Sequence, residues 1–153
     1  EYLKAKERQK SLKTSSIEES ALDGVSLAYP ALLRAQKLQK RAARVGFDWE
    51  DVGTVLEKLD EEVIELKEVL TNTDASGSKR VEEELGDILF TCVNIARHIK
   101  IDPETALYKA NRKFSKRFKI VEKLLKEELN LKPEQAEFSD LEDRWERAKI
   151  IDC

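Results

Sequence analysis

Apolar residues recur at helical spacing in two neighbouring stretches of this chain, and the polar positions beside them repeat an arrangement of their own. At about 100° per residue, the angle implied by 3.6 residues per turn, Val52, Val55, Leu56, Leu59, Val63, Leu66 and Leu70 fall on one stripe. Val81, Leu85, Ile88, Cys92, Ile95 and Ile99 form a second. Glu62 lies about 60° to one side of the first stripe, and Glu65 about 120° to the same side. Glu84 and Asp87 take about those angles beside the second stripe. Two helices thus carry two i, i+3 acidic pairs at matching offsets from their buried faces. A solvated charge run does not require that much order.

The same patterning predicts helices through the rest of the chain. Pro30 suits a first helical turn. Residues 31–45 follow with Leu32, Leu33, Ala35, Leu38 and Ala42 at near-helical spacing, and Gly46 ends the segment. Asp48 is placed to cap a long acidic helix over 49–70, with Asp51 in its first turn. T-N-T-D-A-S-G-S at 71–78 is loop by composition, and a second acidic helix runs over 79–100. Asp102, Pro103 and Glu104 are a start signal, opening a helix that continues to residue 128. Pro133 interrupts, and Ser139 with Glu142 reads as a capping box for a last helix. No stretch alternates as a strand does, so the fold class is all-α, a helical bundle with short connections. Residues 1–13 lack a wide apolar face and 14–28 are Ser-rich and acidic. Residues 1–28 therefore read as a tail or inter-domain linker, and 29–153 as one domain.

Composition narrows the classes of function. A chain of 153 residues can bury one core, and 39% charged residues with 5 Gly and 3 Pro favour long amphipathic helices over a turn-rich β fold. The formal net charge of −3 gives no electrostatic reason to expect nucleic acid or an anionic membrane as partner. No apolar run approaches the roughly 18 residues of a membrane span, and no signal peptide is visible. The two cysteines, Cys92 on the apolar stripe and Cys153 at the end, make no disulfide framework. Cys92 is expected to be a small buried hydrophobe, and a cytoplasmic setting fits. Met is absent, even at position 1, so the chain is expected to be a piece of something longer.

Carboxylates converging on one patch repel, at on the order of 3 kcal/mol per pair for about 5 Å and an effective dielectric near 20. Such a patch persists if the charges splay into water, are protonated, or hold a cation. The helical offsets of Glu62, Glu65, Glu84 and Asp87 argue against splaying. Oxygen-only ligands suit Mg²⁺, with Mn²⁺ as a substitute, whereas zinc and di-iron sites want His or Cys. The single histidine, His98, is not three residues after a glutamate as the di-iron bundle pattern requires. Magnesium on a few carboxylates retains waters and engages phosphates, which leads to phosphoanhydride hydrolysis. The anionic substrate then needs cations. Lys109, Lys113 and Arg117 follow i, i+4, i+8 along one helix face, with Lys116 beside them. The ordinary reading of that face is a solvated one, as it is for Arg34, Lys37, Lys40, Arg41 and Arg44, of which one or two could instead face a phosphate or the acidic helices. Phe114 and Phe118 read as core. Trp145 reads as core or interface, with stacking on a base as the alternative.

The motifs also resemble a known family. E-E-V-I-E at 61–65, followed after eighteen residues by E-L-G-D at 84–87, is similar to the EExxE…ExxD signature of the MazG-type all-α nucleoside triphosphate pyrophosphohydrolases. V-G-F-D-W at 45–49, G-D-I-L-F-T-C-V-N-I-A-R-H at 86–98 and K-A-N-R-K-F-S-K-R-F at 109–118 look like the C-terminal domain of its two-domain bacterial members. The likeness runs from residue 21 to 149, and S-A-L-D-G-V at 20–25 resembles the segment that joins the two domains. The resemblance implies cleavage of a nucleoside triphosphate to the monophosphate and pyrophosphate, with Mg²⁺ held by Glu62, Glu65, Glu84 and Asp87. It assigns Glu62 to catalysis with Glu61 in support, Lys113 and Arg117 to the phosphates, and Trp145 and Lys149 to closure over the nucleotide. Arg80 is a further substrate-binding candidate. It also implies a homodimer with a four-helix core built from both chains, and a preceding MazG-like domain. Two rivals accompany this reading: a relative tuned to one substrate, such as dUTP or phosphoribosyl-ATP, and a non-catalytic dimerisation or regulatory domain with an inert acidic patch.

Overall fold

The computed structural model describes residues 20–71 and 79–152. They form five α-helices and one 3-10 turn: α1 (Ala31–Arg44), α2 (Val52–Thr71), α3 (Lys79–His98), α4 (Pro103–Leu129), the turn Pro133–Gln135, and α5 (Phe138–Ile151). Among the described residues there is no strand, and the fold is an all-α helical bundle. Residues 1–19 of the expected tail, residues 72–78 of the loop expected over 71–78, and Cys153 lie outside the described residues, and Thr71 is the last residue of α2. The chain divides into two compact units, Glu1–Ile101 and Asp102–Cys153.

In the first unit α2 and α3 pack together, and α1 lies on α3. The seam is narrower than the apolar stripes. Val55 and Val69 on α2 are buried, and Glu62 is buried between them. These three are seven residues apart, which returns a helix to nearly the same face. On α3 the buried residues are Thr91, Val93 and Asn94. Leu56, Leu70, Leu85, Ile99 and Cys92, all expected in the core, are exposed. Both helices are turned toward their acidic sides. The stripe is wider than one helix–helix seam covers, so the seam takes one flank, including Glu62, and leaves the other bare.

Helix α1 is held to α3 and to the segment just after it by amides. Gln36 donates from Nε2 to the Ile101 carbonyl at 3.3 Å, and Gln39 to the Phe90 carbonyl at 2.8 Å. Gly46 closes α1 with φ +89°, a conformation glycine adopts without a Cβ penalty. Asp48 does not cap α2 as expected. Its carboxylate takes both terminal nitrogens of Arg97 and lies 3.3 Å from His98 Nε2. The cap belongs to Asp51, whose Oδ1 accepts from the Thr54 amide at 2.9 Å, and α2 begins at Val52. A carboxylate that gains a guanidinium partner is lost to capping, and the next acid in line takes the role.

In the second unit Asp102 caps α4 as expected, accepting from the Thr105 amide at 2.7 Å, with Pro103 in the first turn. Asn130 ends the helix in the left-handed region, φ 53°. Val121, Leu125 and Ala148 form the core that joins α4 to α5. Helix α5 starts at Phe138 behind Glu137, with no side-chain cap bond, so Ser139 lies inside the helix and the expected capping box is not formed. The buried Arg144 substitutes as an anchor. Its Nη1 donates to the Asp140 carbonyl at 3.0 Å, and its Nη2 lies 3.0 Å from Glu128. Among the described residues, no helix is long and apolar enough to cross a membrane.

Candidate functional site

The packing of α2 on α3 brings carboxylates together. One oxygen each of Glu62, Glu84 and Asp87 lie within 4.8 Å of one another. Glu62 is buried, Glu84 half-buried and Asp87 exposed, so the group has a dry floor and an open mouth. Burial holds the Glu84 carboxyl above its ordinary value of 4.5, and the charges of Glu65, Asp87 and Glu62 push the same way against Arg80. Glu65 is exposed and outside the trio, but its field is felt at Glu84. Glu61 is exposed and turned to Lys58, at 3.0 Å. Arg80 is an exposed side chain whose Nε lies 3.8 Å from Glu84.

Lys58 is the residue that sequence patterning missed. Its ammonium lies 2.9 Å from Glu62 and 3.0 Å from Glu61. Glu62 and then Glu61 raise its pKa, so it stays charged at any physiological pH. The signal was available, because a lysine four residues before an acid is the i, i+4 pairing of a helix surface. A trio of acids with one ammonium at its edge is still short of positive charge. Its hard oxygen donors fit Mg²⁺ or Mn²⁺ by ligand type.

The second unit carries the remaining candidates. Lys109, Arg112, Lys113, Lys116, Lys119 and Asp152 line a cavity of about 650 Å³. Arg117 is half-buried and donates from Nε to Asp152 at 3.1 Å, while Lys116 pairs with the other Asp152 oxygen. Those cations, Lys116 first, hold the Asp152 carboxyl below its ordinary value. Asp152 thus orients Arg117 through its Nε, a role no motif announced. Lys149 is paired with Glu146 on its own helix. Phe114, expected in the core, is largely exposed. It stacks on Phe118 with centroids 6.0 Å apart and meets Trp145 at 5.3 Å. With Phe138 and Leu141 these rings line a second cavity of about 470 Å³. Phe114 and Phe138 are exposed, whereas Phe118 and Trp145 are half-buried and Trp145 packs against the core of Val121, Leu125 and Ala148.

The described residues thus form an all-α fold with a carboxylate trio at a helix seam in the first unit, and a basic cavity and an aromatic cavity in the second. Residues 50–122 match the model of the MazG nucleotide pyrophosphohydrolase domain, so the chain carries a MazG-family domain. It is 42% identical over 149 residues to the nucleoside triphosphate pyrophosphohydrolase/pyrophosphatase MazG of Thermotoga maritima, covering 97% of this chain and 53% of that one. To the nucleoside triphosphate pyrophosphohydrolase of Escherichia coli K12 it is 40% identical over 149 residues, covering 97% and 54%. A Bacillus subtilis relative, the uncharacterized protein YabN, is 42% identical over 140 residues, 92% of this chain and 28% of that one. The chain spans about half the length of the first two relatives.

Proposed function

We propose that this domain hydrolyses nucleoside triphosphates, ribo- or deoxyribo-, to the monophosphate and pyrophosphate, with Mg²⁺ as cofactor, in the cytoplasm. The observation that carries the reading is the trio of oxygens from Glu62, Glu84 and Asp87 within 4.8 Å of one another. Glu65, whose charge reaches Glu84, completes the proposed ligand set. Bound there, Mg²⁺ or Mn²⁺ would neutralise the triphosphate and supply an activated water. Glu62 is the central acid, and its burial fixes its rotamer; Glu61 supports it through the shared Lys58 ammonium. Lys113 and Arg117 hold phosphate oxygens, Arg117 already aimed by Asp152. Trp145 covers the base, Lys149 exchanges Glu146 for the nucleotide, and Arg80 is an outlying phosphate contact.

The working unit in this proposal is a homodimer. Leu56, Leu85, Leu89 and Phe90 are each more than two-fifths exposed, an apolar flank that a second chain's helices would bury to make a shared four-helix core. A preceding MazG-like domain is a further proposed partner, in keeping with relatives about twice as long.

Pyrophosphate release from each common nucleoside triphosphate with Mg²⁺, beside Glu62→Gln and Asp87→Asn, tests the reaction. Monophosphate and pyrophosphate from the parent alone is the expected result. No turnover across the panel by a folded dimer would refute it, and would favour the non-catalytic, regulatory reading.

A further inference from the structure

A second set of cations lies on α1 in the first unit, and none of the carboxylate trio lines the cavity they form. Lys37, Lys40, Arg41 and Arg44 occur on α1 at i, i+3, i+4 and i+7, which puts them on one face over two turns. They line a cavity of about 240 Å³ whose other wall is the turn at Gly24 and the ring of Tyr29. Gly24 has φ +82°, and a Cβ there would meet an Arg41 terminal nitrogen at 3.6 Å, so the turn lies beside the guanidinium. The one acid in that turn is already engaged, because Asp23 accepts from the Ser20 amide at 2.9 Å. Lys37 lies over the Tyr29 ring at 4.7 Å. Lys40, Arg41 and Arg44 have no carboxylate partner among the described residues.

The C-terminal end of a helix favours basic residues through its dipole, which accounts for Arg41 and Arg44 in the last turn. It does not account for a concave wall. Four like charges on one face repel, and a surface that only needed solvation would let them splay. Here they line a hollow in a chain that is acidic overall. The ligand chemistry that satisfies such a hollow is an oxyanion. The face spans about 10 Å from Lys37 to Arg44 at 1.5 Å per residue, more than a single tetrahedral anion bridges.

We propose that this pocket binds a condensed phosphate, an anion with two or three linked phosphoryl groups, at a site separate from the carboxylate trio. Free pyrophosphate or triphosphate and the polyphosphate tail of a nucleotide share that chemistry. The inference does not depend on the reaction proposed above.

The test is titration calorimetry on the whole chain in EDTA. It uses inorganic pyrophosphate, tripolyphosphate and orthophosphate as probes, then ADP and ATP to separate the two sources. A Lys109→Ala/Arg112→Ala/Lys113→Ala background strips three of the five cations from the other basic cavity. Pyrophosphate or tripolyphosphate should still bind there, at least tenfold tighter than orthophosphate. Adding Lys40→Ala/Arg41→Ala should weaken it at least tenfold, and Lys40→Ala/Arg44→Ala, confined to exposed side chains, should do the same. Circular dichroism should be unchanged by either. Loss of all binding in the background protein would overturn the proposal. So would binding untouched by the α1 substitutions, or capture of a short single-stranded oligonucleotide in preference to condensed phosphates.

Discussion

Glu62→Gln separates a metal ligand from a structural acid. The Glu62 side chain is 8% exposed, and glutamine keeps its shape while removing its charge. In the cation-free protein two effects oppose each other. The variant loses the Lys58 pair, an i, i+4 contact at 2.9 Å whose lysine is 35% exposed; solvent-screened pairs of this kind contribute about 0.3–0.5 kcal/mol. It also sheds a charge that raises the Glu84 carboxyl. The net change in melting temperature without metal should therefore be small, roughly 2 °C or less. The response to Mg²⁺ should differ much more. A cation at a hundred times its dissociation constant adds about 2.7 kcal/mol, or roughly 5–11 °C for a domain of this size. Scanning calorimetry in EDTA and in excess Mg²⁺ should show that gain in the parent and none in the variant. The pH dependence has a definite sign. A carboxyl raised above 4.5 binds its proton more tightly when folded, so its cost to stability grows as pH rises past 4.5. The relief a cation brings grows the same way, and the Mg²⁺ shift should be smaller at pH 4.5 than at pH 7.5. An equal Mg²⁺ shift in parent and variant would refute the reasoning. So would a variant several kcal/mol less stable without metal, because Glu62 would then be a structural partner of Lys58.

Other expectations follow from single residues. Asp152 is held below its ordinary 3.8 by Lys116 and Arg117, so its stabilisation is present above that pH and is lost as pH falls through the folded value. Asp152→Asn should flatten the acid limb of the melting-temperature profile between pH 5 and 2 and raise KM through a loosened Arg117. Leu125 is fully buried, and Leu125→Ala should cost about 2–5 kcal/mol in urea unfolding. At Gly46 a Cβ meets nothing within 4 Å, but φ is +89°, so Gly46→Ala should cost about 1–2 kcal/mol from backbone strain alone; an unchanged urea midpoint would contradict that.

Helix existence was legible because each helix carries its own periodicity, and the Asp102–Pro103 start signal is local chemistry that needs no partner. The two misplaced caps share a cause. Asp48 and Ser139 satisfy a capping rule locally, but Asp48 is claimed by Arg97, forty-nine residues away, and α5 begins one residue before Ser139, behind Glu137. Which flank of a stripe is buried was equally illegible. The wheel gave Leu56 and Leu85 the same standing as Val55 and Ile88, and only the packing of α2 on α3 chose between them. The trio was readable because Glu62, Glu84 and Asp87 hold fixed angular offsets on their own helices. Asp152 was not, because nothing in its local sequence says that it will meet Arg117, thirty-five residues earlier.

Gln36 and Gln39 reach the carbonyls of Ile101 and Phe90, not their side chains. A main-chain oxygen is the same at every residue, so the joint between α1 and α3 places its demands on one partner only. Among natural variants, substitutions at 90 and 101 should be freely interchangeable in shape and polarity as far as this joint is concerned. The two glutamines should tolerate almost nothing, since a glutamate there presents no donor and an asparagine falls a methylene short. The attachment of α1 is thus written in two letters of the chain and remains silent in the sequence it grips.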